Sequence, residues 1–557
     1  MTTVEQPPAP AAGATGPDGG PRRAPRRWLG ALAGLLAAAV ALGVAELTAA
    51  LVGPASSPVV AVGDAVITLT PEAVKEFAIA TFGENDKVAL VVGTLVLTAL
   101  FALVIGALSL RDRRIGTVGI LVFGAIGAYA AATRPAGGML DAVPSLVGAG
   151  AGIVALRALL VPLTGPPPAP TSHLPRRPGD RAVVDRLREV LAAGDRKDGA
   201  LDRRRFFLTS GAALGVAVVA GGGGKLLQQR FDVADARSGL TLPEPASPAG
   251  RLPGGADLAD EVEGLTRLFT PNREFYRIDT AISVPQVRPR DYRLTLDGMF
   301  DAPRSYTLAD LFDRDDLIER DVTLTCVSNE IGGGLAGTAR WLGVPLGAVL
   351  RENGISRDST QLVCRSTDGM TIGTPTRSAL EVEDAMLAFG MNGEPLPVEH
   401  GFPVRMVIPG LYGYVSACKW LTRIQATTFE AFDAYWVERG WAAQGPVKLA
   451  SRIDTPAAVR AFPAGRRAIA GVAWAQGRGI AKVEVQVDDE DWAEAELSPA
   501  VDADIWRQWV LPYEFRRGSH LLTVRATASD GEVQTDDRAE PFPNGASGWH
   551  SIRVITS

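Results

Sequence analysis

Residues 321–334 read DVTLTCVSNEIGGG, a strand-like run that ends at Cys326 and passes into a glycine-rich turn. The chain holds only three cysteines, and an odd number of them argues against a disulfide framework. A thiolate on a rigid strand, beside glycines that let a large ligand approach the backbone, suits a single soft ligand of a metal ion. Taken alone, Cys326 is equally consistent with a small side chain of the core.

The composition divides the chain near residue 225. The 557 residues allow two to four domains. Mean hydropathy is +0.11, which is high for a soluble protein, and the apolar excess is concentrated before residue 225. The formal net charge is −6, and no basic patch is interleaved with aromatic residues. We therefore expect no nucleic-acid partner.

The first part of the chain predicts transmembrane helices. Four apolar stretches reach the roughly 20 residues that a helix needs to cross a bilayer, and a shorter fifth follows. They are residues 28–52, 87–110, 115–133, 140–163 and 206–224. No histidine lies in them and no Cys-x-x-Cys-His motif occurs, so neither a b-type nor a c-type haem is expected.

The basic residues indicate one orientation. Arginines before residue 28, from 111 to 114 and from 176 to 205 fall on one side of the predicted helices, which the positive-inside rule assigns to the cytoplasm. Residues 1–27 then form a disordered cytoplasmic tail and residues 164–202 a cytoplasmic linker. The basic pair before Phe206 has the order of a twin-arginine export signal, with an ordinary basic flank as the alternative. Segment 203–225 would place all later residues outside the cytoplasmic membrane.

The second part of the chain has a globular composition. Residues 226–257 are rich in Pro and Gly and predict a linker. Between residues 258 and 440 we expect an α+β domain, with strands at 292–296 and 403–408 and helices at 308–312 and 346–350. Residues 441–557 predict an antiparallel β-sandwich, with strands at 468–474, 480–487, 506–511 and 521–527.

An ordered series of short motifs runs through the second part. It comprises FYR at 275–277, Cys326, ARW at 339–341, TPTR at 374–377, MNG at 391–393, HGFPVR at 400–405 and KW at 419–420. The series resembles the molybdopterin-binding domain of the sulfite oxidase family. The tail, with PFPNG at 541–545 and GWHS at 548–551, resembles the immunoglobulin-like dimerisation domain of that family. The resemblance covers about residues 258–557.

The resemblance implies a molybdenum ion held by two molybdopterin sulfurs and one protein thiolate, which is Cys326 by position. Tyr276 and Arg277 match an early loop that lines the pterin and the metal pocket, and the family pattern implies catalytic roles for Cys326 and Arg277. Asp279 takes the place of a cofactor-contacting histidine. Asp368 matches a carboxylate that accepts hydrogen bonds from pterin N–H groups.

The pterin ends in a phosphate, which Arg and Lys side chains bind well. By resemblance, Arg377 and Lys419 contact the phosphate and the pterin, although each is also consistent with a solvated or snorkelling side chain. The other cofactor-binding positions that the resemblance implies are Asn329, Thr374, Tyr414 and Ser416.

Four further residues receive structural interpretations. His400 is expected to cap a turn, and Arg405 to have a structural role in a strand. Cys364 and Cys418 are expected to be buried thiols, with Cys418 close to the cofactor because it precedes Lys419.

Three positions depart from the family pattern around the open face of the metal. A tyrosine of the sulfite enzymes is replaced by Phe389, and two arginines by Glu330 and by Val415 or Ser416. Hydrogen bonds to charged groups contribute about 1.5–3 kcal/mol each, so a dianion such as sulfite is expected to bind weakly.

We therefore expect a membrane-anchored molybdenum oxidoreductase that transfers an oxygen atom to or from a small sulfur or nitrogen oxo compound. One alternative is a sulfite oxidase that passes electrons to a cytochrome. The other is a non-enzymatic, membrane-tethered binding module. The enzyme would need an external electron carrier, a cytochrome or a quinone-linked protein. It would also contact membrane lipid and form a homodimer through the C-terminal domain.

Overall fold

In a computed structural model, the described residues are 27–71, 74, 81–82, 86–164, 203–459 and 461–557. The chain forms two compact units. Among the described residues, the first unit takes in 27–63, 82, 86–133, 138–164 and 203–229, and the second takes in 64–71, 74, 81, 134–137, 230–459 and 461–557. The predicted cytoplasmic tail, 1–27, and the predicted linker, 164–202, lie outside the described residues except for Arg27 and Thr164.

The N-terminal part of the chain is helical. Its helices are α1 Arg27–Val52, α2 Pro58–Leu69, α3 Asp86–Leu108, α4 Arg113–Ala132, α5 Val143–Thr164 and α6 Arg203–Gln228. Five of them, all but α2, are long and apolar enough to cross a membrane by length and composition. The five predicted apolar segments are thus confirmed as helices.

Helix α1 packs against α3, α5 and α6 in the first unit. Glycines make these contacts close: a Cβ added to Gly34 would lie 2.1 Å from the carbonyl oxygen of Ala102 on α3. A Cβ added to Gly148 on α5 would lie 2.6 Å from the carbonyl oxygen of Ala41. Small residues that let helix backbones approach one another are typical of helix packing in membranes.

Residues 234–427 of the second unit, called here the α+β part, contain ten strands and five short helices. The strands are β1 Leu294–Gly298, β2 Arg304–Tyr306, β3 Ile318–Thr325, β4 Ala336–Pro345, β5 Gln361–Ser366, β6 Thr371–Pro375, β7 Met386–Met391, β8 Glu394–Pro395, β9 Arg405–Val407 and β10 Leu421–Thr427. The helices are α7 Ala234–Ser238, α8 Leu308–Phe312, α9 Leu346–Glu352, α10 Thr376–Glu381 and α11 Gly413–Ser416. One sheet has the order β2-β1-β10-β5-β6, and the other has the order β3-β4-β7-β8 with β9 paired to β7.

Local sequence accounts for several of these elements. Helix α8 begins with a capping box, in which the Thr307 hydroxyl accepts from the Asp310 amide at 3.0 Å and the Asp310 carboxylate accepts from the Thr307 amide at 2.7 Å. Strand β7 is buried at every position, which matches its uninterrupted apolar sequence. The helices predicted at 308–312 and 346–350 are confirmed, and the strands predicted at 292–296 and 403–408 are confirmed with shifted ends.

The C-terminal region is β-rich. Its strands are β11 Ala450–Thr455, β12 Ala461–Phe462, β13 Gly465–Trp474, β14 Ile480–Val487, β15 Ala493–Glu494, β16 Glu496–Leu497, β17 Arg507–Phe515, β18 Gly518–Ala528 and β19 His550–Thr556. They form two sheets, β11-β13-β17-β16 and β12-β19-β18-β14-β15, which share one hydrophobic core. The four predicted strands are confirmed. The immunoglobulin-like topology stays a prediction.

The Pro/Gly-rich segment after α6 packs against the second unit. Val233 is fully buried, and Ser247 forms a β-bridge with Ile318 at the start of β3. The carbonyl of Ser247 also accepts from the Glu319 amide at 2.9 Å. The segment predicted as a linker therefore contributes to the folded unit, because its few apolar side chains find places in the core.

Three carboxylates meet where the α+β part and the C-terminal region pack together. Oxygens of Asp384, Asp502 and Asp504 lie within 4.8 Å of one another. Asp504 is buried, and its carboxylate accepts from the Gly477 amide at 2.8 Å. Burial, together with the charges of Asp502 and Asp384, raises the pKa of Asp504 from 3.8 to about 7. Between about pH 4 and pH 7, Asp504 therefore keeps its proton in the folded protein and has lost it in the unfolded chain.

We predict that Asp504 makes a contribution to stability that is lost as the pH rises from about 4 to about 7. In that window the folded state binds one proton more than the unfolded state at Asp504, so the free energy of unfolding falls with pH. Asp504→Asn should remove this contribution and stabilise the protein at pH 8, relative to the wild type, by on the order of 4 kcal/mol. Denaturant unfolding of the purified protein at pH 5 and pH 8 measures the effect.

The matched control for this measurement is Asp489→Asn, at an exposed turn position. It should leave the pH dependence unchanged. The same slope of stability against pH in the wild type and in Asp504→Asn would contradict the assignment of the proton to Asp504.

Candidate active site

A pocket opens between the N-terminal loop of the α+β part and the segment that carries α11. Its lining combines aromatic rings with a small number of charged groups. The charged side chains are Asp279, Asp368, Arg405 and Lys419, and the aromatic ones include Tyr276 and Trp436. An apolar pocket with a few convergent polar groups is the usual form of a small-molecule or cofactor site.

Cys326 lies directly after β3. It is not among the lining residues, but its thiol interacts electrostatically with Lys419 and Tyr276, which are. Its amide donates to the Leu335 carbonyl at 2.9 Å, and its carbonyl accepts from the Asn329 amide at 3.1 Å. Burial raises the pKa of the Cys326 thiol, while hydrogen bonds from Ser328 and the charge of Lys419 act in the opposite direction. The proximity of the Lys419 ammonium and the Tyr276 phenol links the thiol electrostatically to the pocket.

Two glycines after Cys326 allow close contacts between the loop and neighbouring side chains of the protein. Gly332 has a φ of +76°, and a Cβ there would lie 2.2 Å from Nε2 of His550. A Cβ on Gly333 would lie 2.7 Å from Oδ1 of Asn329. These glycines make room for protein side chains, so the expectation that the turn admits a large ligand is not supported at these two positions.

Lys419, Asp279 and Arg277 form a chain of charges at the pocket. The Lys419 Nζ donates to Asp279 Oδ2 at 2.7 Å, and the Arg277 Nε donates to the same oxygen at 2.9 Å. Desolvation lowers the pKa of Lys419 to about 8, although Asp279 raises it. Asp279 thus holds two basic side chains in one place. Arg277 itself is partly exposed and is not among the lining residues.

Arg405 is a buried cation with no ion-pair partner among the described residues. Its Nη1 donates to the His400 carbonyl at 3.1 Å, and its guanidinium lies 5.0 Å from the centre of the Trp341 ring. Desolvation lowers the pKa of Arg405 to about 10. Arg is almost never fully buried unless it is paired. A guanidinium buried in the pocket lining without a carboxylate is suited to bind an anion from outside the protein.

Two further lining residues present polar atoms. The Ser366 hydroxyl is buried and has no hydrogen-bond partner among the described residues. His400 donates from Nε2 to the Asn272 carbonyl at 2.9 Å, and burial lowers its pKa to about 4, so the ring is neutral. A buried hydroxyl without a partner is rare in native proteins and marks a place for a ligand or an ordered water.

The site residues expected from the sequence divide into two groups. Tyr276, Asp279, Asp368, Tyr414 and Lys419 line the pocket. Tyr414 donates from its hydroxyl to the Ala442 carbonyl at 2.6 Å, and Asp368 accepts from the Met370 amide at 3.1 Å. Cys326 adjoins them. These five residues and the thiol are brought together by elements that are far apart in sequence.

The second group lies outside the lining. Arg377 on α10 has an 84% exposed side chain and pairs with Glu381 at 2.7 Å, as expected for residues four apart on a helix. Asn329 accepts from the Leu335 amide at 2.7 Å and so closes the cysteine loop. Thr374 donates to the Val415 carbonyl at 2.5 Å, and Ser416 donates to the Leu411 carbonyl at 2.9 Å. Asn329, Thr374 and Ser416 are buried and hold neighbouring backbone segments together, but they do not line the pocket.

The three departures from the family pattern also lie outside the lining. Phe389 is fully buried in the core, with its ring 4.6 Å from that of Phe312. Glu330 is exposed on the cysteine loop, and Val415 is buried in α11. The expectation that these positions set the charge of the metal pocket is not supported. The charge of the pocket is set by Arg405, Lys419 and the two aspartates.

Sequence reasoning missed Arg405 and Ser366 as pocket residues. The signal for Arg405 was present, since a lone arginine in the apolar run Val404 to Ile408 must be buried. Ser366 ends an ordinary strand, and no local pattern distinguishes it. Cys364 and Cys418 are confirmed as buried thiols, and Cys418 lines the pocket.

A buried guanidinium, an ammonium and an unpartnered hydroxyl in the lining, with a thiol near the ammonium, are compatible with an anionic cofactor that carries a soft metal. The family model described as "Oxidoreductase molybdopterin binding domain" matches residues 281–436. Sulfite oxidase of Gallus gallus is 30% identical over 321 residues, which cover 49% of this chain and 69% of that protein. The mitochondrial sulfite oxidase of Mus musculus is 30% identical over 342 residues, which cover 51% of this chain and 61% of that protein.

The chain belongs to the sulfite oxidase family of molybdopterin-dependent oxidoreductases. It spans about three fifths of the length of several mitochondrial sulfite oxidases. Among solved structures, the sulfane dehydrogenase SoxCD of Paracoccus pantotrophus is similar at 24% identity with a TM-score of 0.45, over 51% of this chain and 80% of that chain. The residues present are compatible with the family's cofactor, because each anionic part of it can meet a buried donor or cation.

We predict that Arg405, and not Arg377, retains the cofactor. Arg405→Met should reduce the molybdenum and pterin content per chain at least about tenfold, since charge-assisted bonds contribute roughly 1.5–3 kcal/mol each. Arg377→Ala, on an exposed helix, should leave the content unchanged. Elemental analysis of molybdenum and fluorescence of the oxidised pterin measure the content.

Cofactor-free protein provides a second measurement on the same variant. Removing a buried cation that has no ion-pair partner should raise the melting temperature of the cofactor-free Arg405→Met protein above that of the wild type. Loss of cofactor in Arg377→Ala but not in Arg405→Met would contradict the assignment.

Proposed function

We propose that this protein is a membrane-anchored molybdenum-cofactor oxidoreductase. It would transfer an oxygen atom to or from a small sulfur or nitrogen oxo compound outside the cytoplasmic membrane. The observation that carries the proposal is a pocket lined by the Arg405 guanidinium and the Lys419 ammonium, with the Cys326 thiol close enough to Lys419 to interact with it electrostatically. Family membership supports the cofactor.

The residues at the pocket suggest how the cofactor would be held. Cys326 would supply the protein thiolate to molybdenum, and Arg405 and Lys419 would bind anionic groups of the pterin and its phosphate. The Ser366 hydroxyl would form a hydrogen bond with a polar atom of the pterin, and the Asp368 carboxylate would accept hydrogen bonds from pterin N–H groups. When bound, the cofactor supplies a centre that exchanges two electrons together with an oxygen atom.

The charge of the lining bears on the substrate. The lining carries two cations, Arg405 and Lys419, and two carboxylates, Asp279 and Asp368, and His400 is neutral. The formal charges of the lining therefore sum to zero, although Arg405 has no direct ion pair among the described residues. A bound anionic cofactor would use both cations. Little positive charge would then remain for a dianion, which favours a neutral S-oxide or N-oxide over sulfite. Oxidation of sulfite with electron transfer to a cytochrome remains the second candidate, because the relatives that match about half of this chain include sulfite oxidases.

Electrons would pass to or from an external carrier, a cytochrome or a quinone-linked protein. The carrier, the homodimer through residues 441–557 and the contact with lipid all stay predictions. The alternative of a non-enzymatic binding module is set aside, because the family consists of oxidoreductases.

A steady-state screen tests the proposed function. The full-length protein in detergent would be assayed with artificial electron donors for reduction of S-oxides and N-oxides, and with artificial acceptors for oxidation of sulfite. We expect kcat/KM for an S-oxide or N-oxide to exceed that for sulfite at least about tenfold, because one missing charge-assisted bond costs roughly 1.5–3 kcal/mol. Cys326→Ser should abolish turnover and alter the molybdenum spectrum.

Fast, high-affinity oxidation of sulfite would contradict the substrate preference but keep the enzyme class. Full activity in Cys326→Ser would contradict the role of the thiolate. The matched control is Cys364→Ser, which alters another buried cysteine away from the pocket.

The helices suggest the location of the catalytic unit. The basic residues at the start of α4, with the basic pair that opens α6, favour a cytoplasmic side for both ends under the positive-inside rule. The chain after α6 would then lie outside the cytoplasm. A twin-arginine signal at 204–205 is compatible with export of a folded, cofactor-loaded unit.

Reporter fusions test this orientation. Alkaline phosphatase fused after Ser557 should be active, because that enzyme needs the oxidising side of the membrane to form its disulfides. The same reporter fused near Arg188 should be inactive, and a cytoplasmic reporter should give the reverse pattern. Activity of both fusions with the same reporter would contradict the five-helix orientation.

A further inference from the structure

The loop that follows Cys326 is held from the C-terminal β-rich region of the same chain. Arg452, on β11, donates from Nη1 to the Gly333 carbonyl at 2.9 Å. Gly333 is part of the loop that closes when the Cys326 amide donates to Leu335. A guanidinium of one sheet therefore bonds directly to the turn that carries the thiol.

Arg452 is itself fixed by two partners. Its Nε donates to Asp454 Oδ1 at 2.6 Å, and its Nη2 donates to the Thr266 hydroxyl at 2.9 Å. Asp454 also accepts from the Thr266 amide at 3.1 Å. The side chains of Arg452 and Asp454 are only 10% and 7% exposed. The Nε, Nη1 and Nη2 atoms of Arg452 each donate a hydrogen bond, and together these bonds fix the orientation of the guanidinium.

His550, on β19, fills the space above the same turn. Its Nδ1 accepts from the Ile453 amide at 3.0 Å, so the proton of the neutral ring lies on Nε2. That Nε2 faces Gly332, where any Cβ would lie within 2.2 Å. Burial and the charge of Arg452 lower the pKa of His550 to about 4, which keeps the ring neutral near pH 7.

The strand that leads to Cys326 is supported from the same region. Gln476, after β13, donates from Nε2 to the Thr323 carbonyl at 3.0 Å and to the Thr325 hydroxyl at 3.3 Å. The Trp506 amide donates to the Thr323 hydroxyl at 2.8 Å. Both sides of Cys326 in sequence are thus tied to the C-terminal region.

We propose that Arg452 is a positioning residue for Cys326, and that the C-terminal region completes the metal-binding loop within one chain. The inference rests on the proposed function in one respect, since the reason to hold Cys326 rigidly is its role as a metal ligand. Arg452 acts through Gly333 and does not line the pocket. A role in dimerisation alone would not require these contacts.

The test measures the reactivity of individual thiols in the full-length protein without cofactor. Iodoacetamide labels cysteines as their surroundings open, and mass spectrometry follows Cys326 and Cys364 separately. Both thiols are buried, and Cys364 lies in the core of the α+β part, so it reports global opening. Arg452→Met should raise the rate at Cys326 at least about tenfold and leave the rate at Cys364 unchanged.

Two milder variants keep the test decisive if Arg452→Met folds poorly. Arg452→Lys can form only some of the three hydrogen bonds that Arg452 makes, and Cys326 should then be labelled at a rate between those of the wild type and Arg452→Met. Thr266→Val removes one bond to the guanidinium without changing charge and should give a smaller increase. Arg466→Met, at an exposed arginine on β13, is the matched control and should behave as the wild type.

Equal rates at Cys326 in the wild type and in Arg452→Met would overturn the proposal. Equal increases at Cys326 and Cys364 would also overturn it, because they would mean general destabilisation. In loaded protein, the Mo(V) electron paramagnetic resonance spectrum should shift in Arg452→Lys and stay unchanged in Arg466→Met. Full molybdenum binding by Cys326→Ser would refute the proposed metal ligand, yet it would leave the thiol-reactivity result intact.

Discussion

The burial of two cations beside a thiol is the constraint on which the site depends. Lys419 is compensated by Asp279, whereas Arg405 contacts backbone carbonyls and the Trp341 ring but no carboxylate among the described residues. A guanidinium in such surroundings is costly to desolvate, and a bound anion would offset that cost. Under the proposed function, the cofactor would therefore stabilise the pocket that binds it.

The site also depends on contacts between regions far apart in the chain. Strand β3 ends in Cys326, and the next turn is closed by Asn329 and held by Arg452. The acidic group around Asp504 lies on the same boundary between the α+β part and the C-terminal region. Stability and site geometry are thus set at one boundary, so a change in protonation at Asp504 acts close to the strand that carries the thiol.

The membrane part follows a different principle. Its helices are recognisable from hydropathy alone, because a bilayer demands about 20 apolar residues for each crossing. Their packing around α1 relies on glycines such as Gly34, which bring backbones together without large side chains. Helix existence was therefore predictable, whereas the choice of α1 as the central helix depends on which small residues face which neighbour.

The sequence by itself determined the five apolar helices, four strands of the C-terminal region and the family of the chain, because periodicity and length are local properties and motif order can be read along the sequence. Only the tertiary structure decided that Arg377 lies on an exposed helix and that Phe389 belongs to the core. It also decided that Arg405 is a buried, uncompensated cation. The reason is physical: burial and ion pairing depend on which elements meet, and that information is absent from any short stretch of chain.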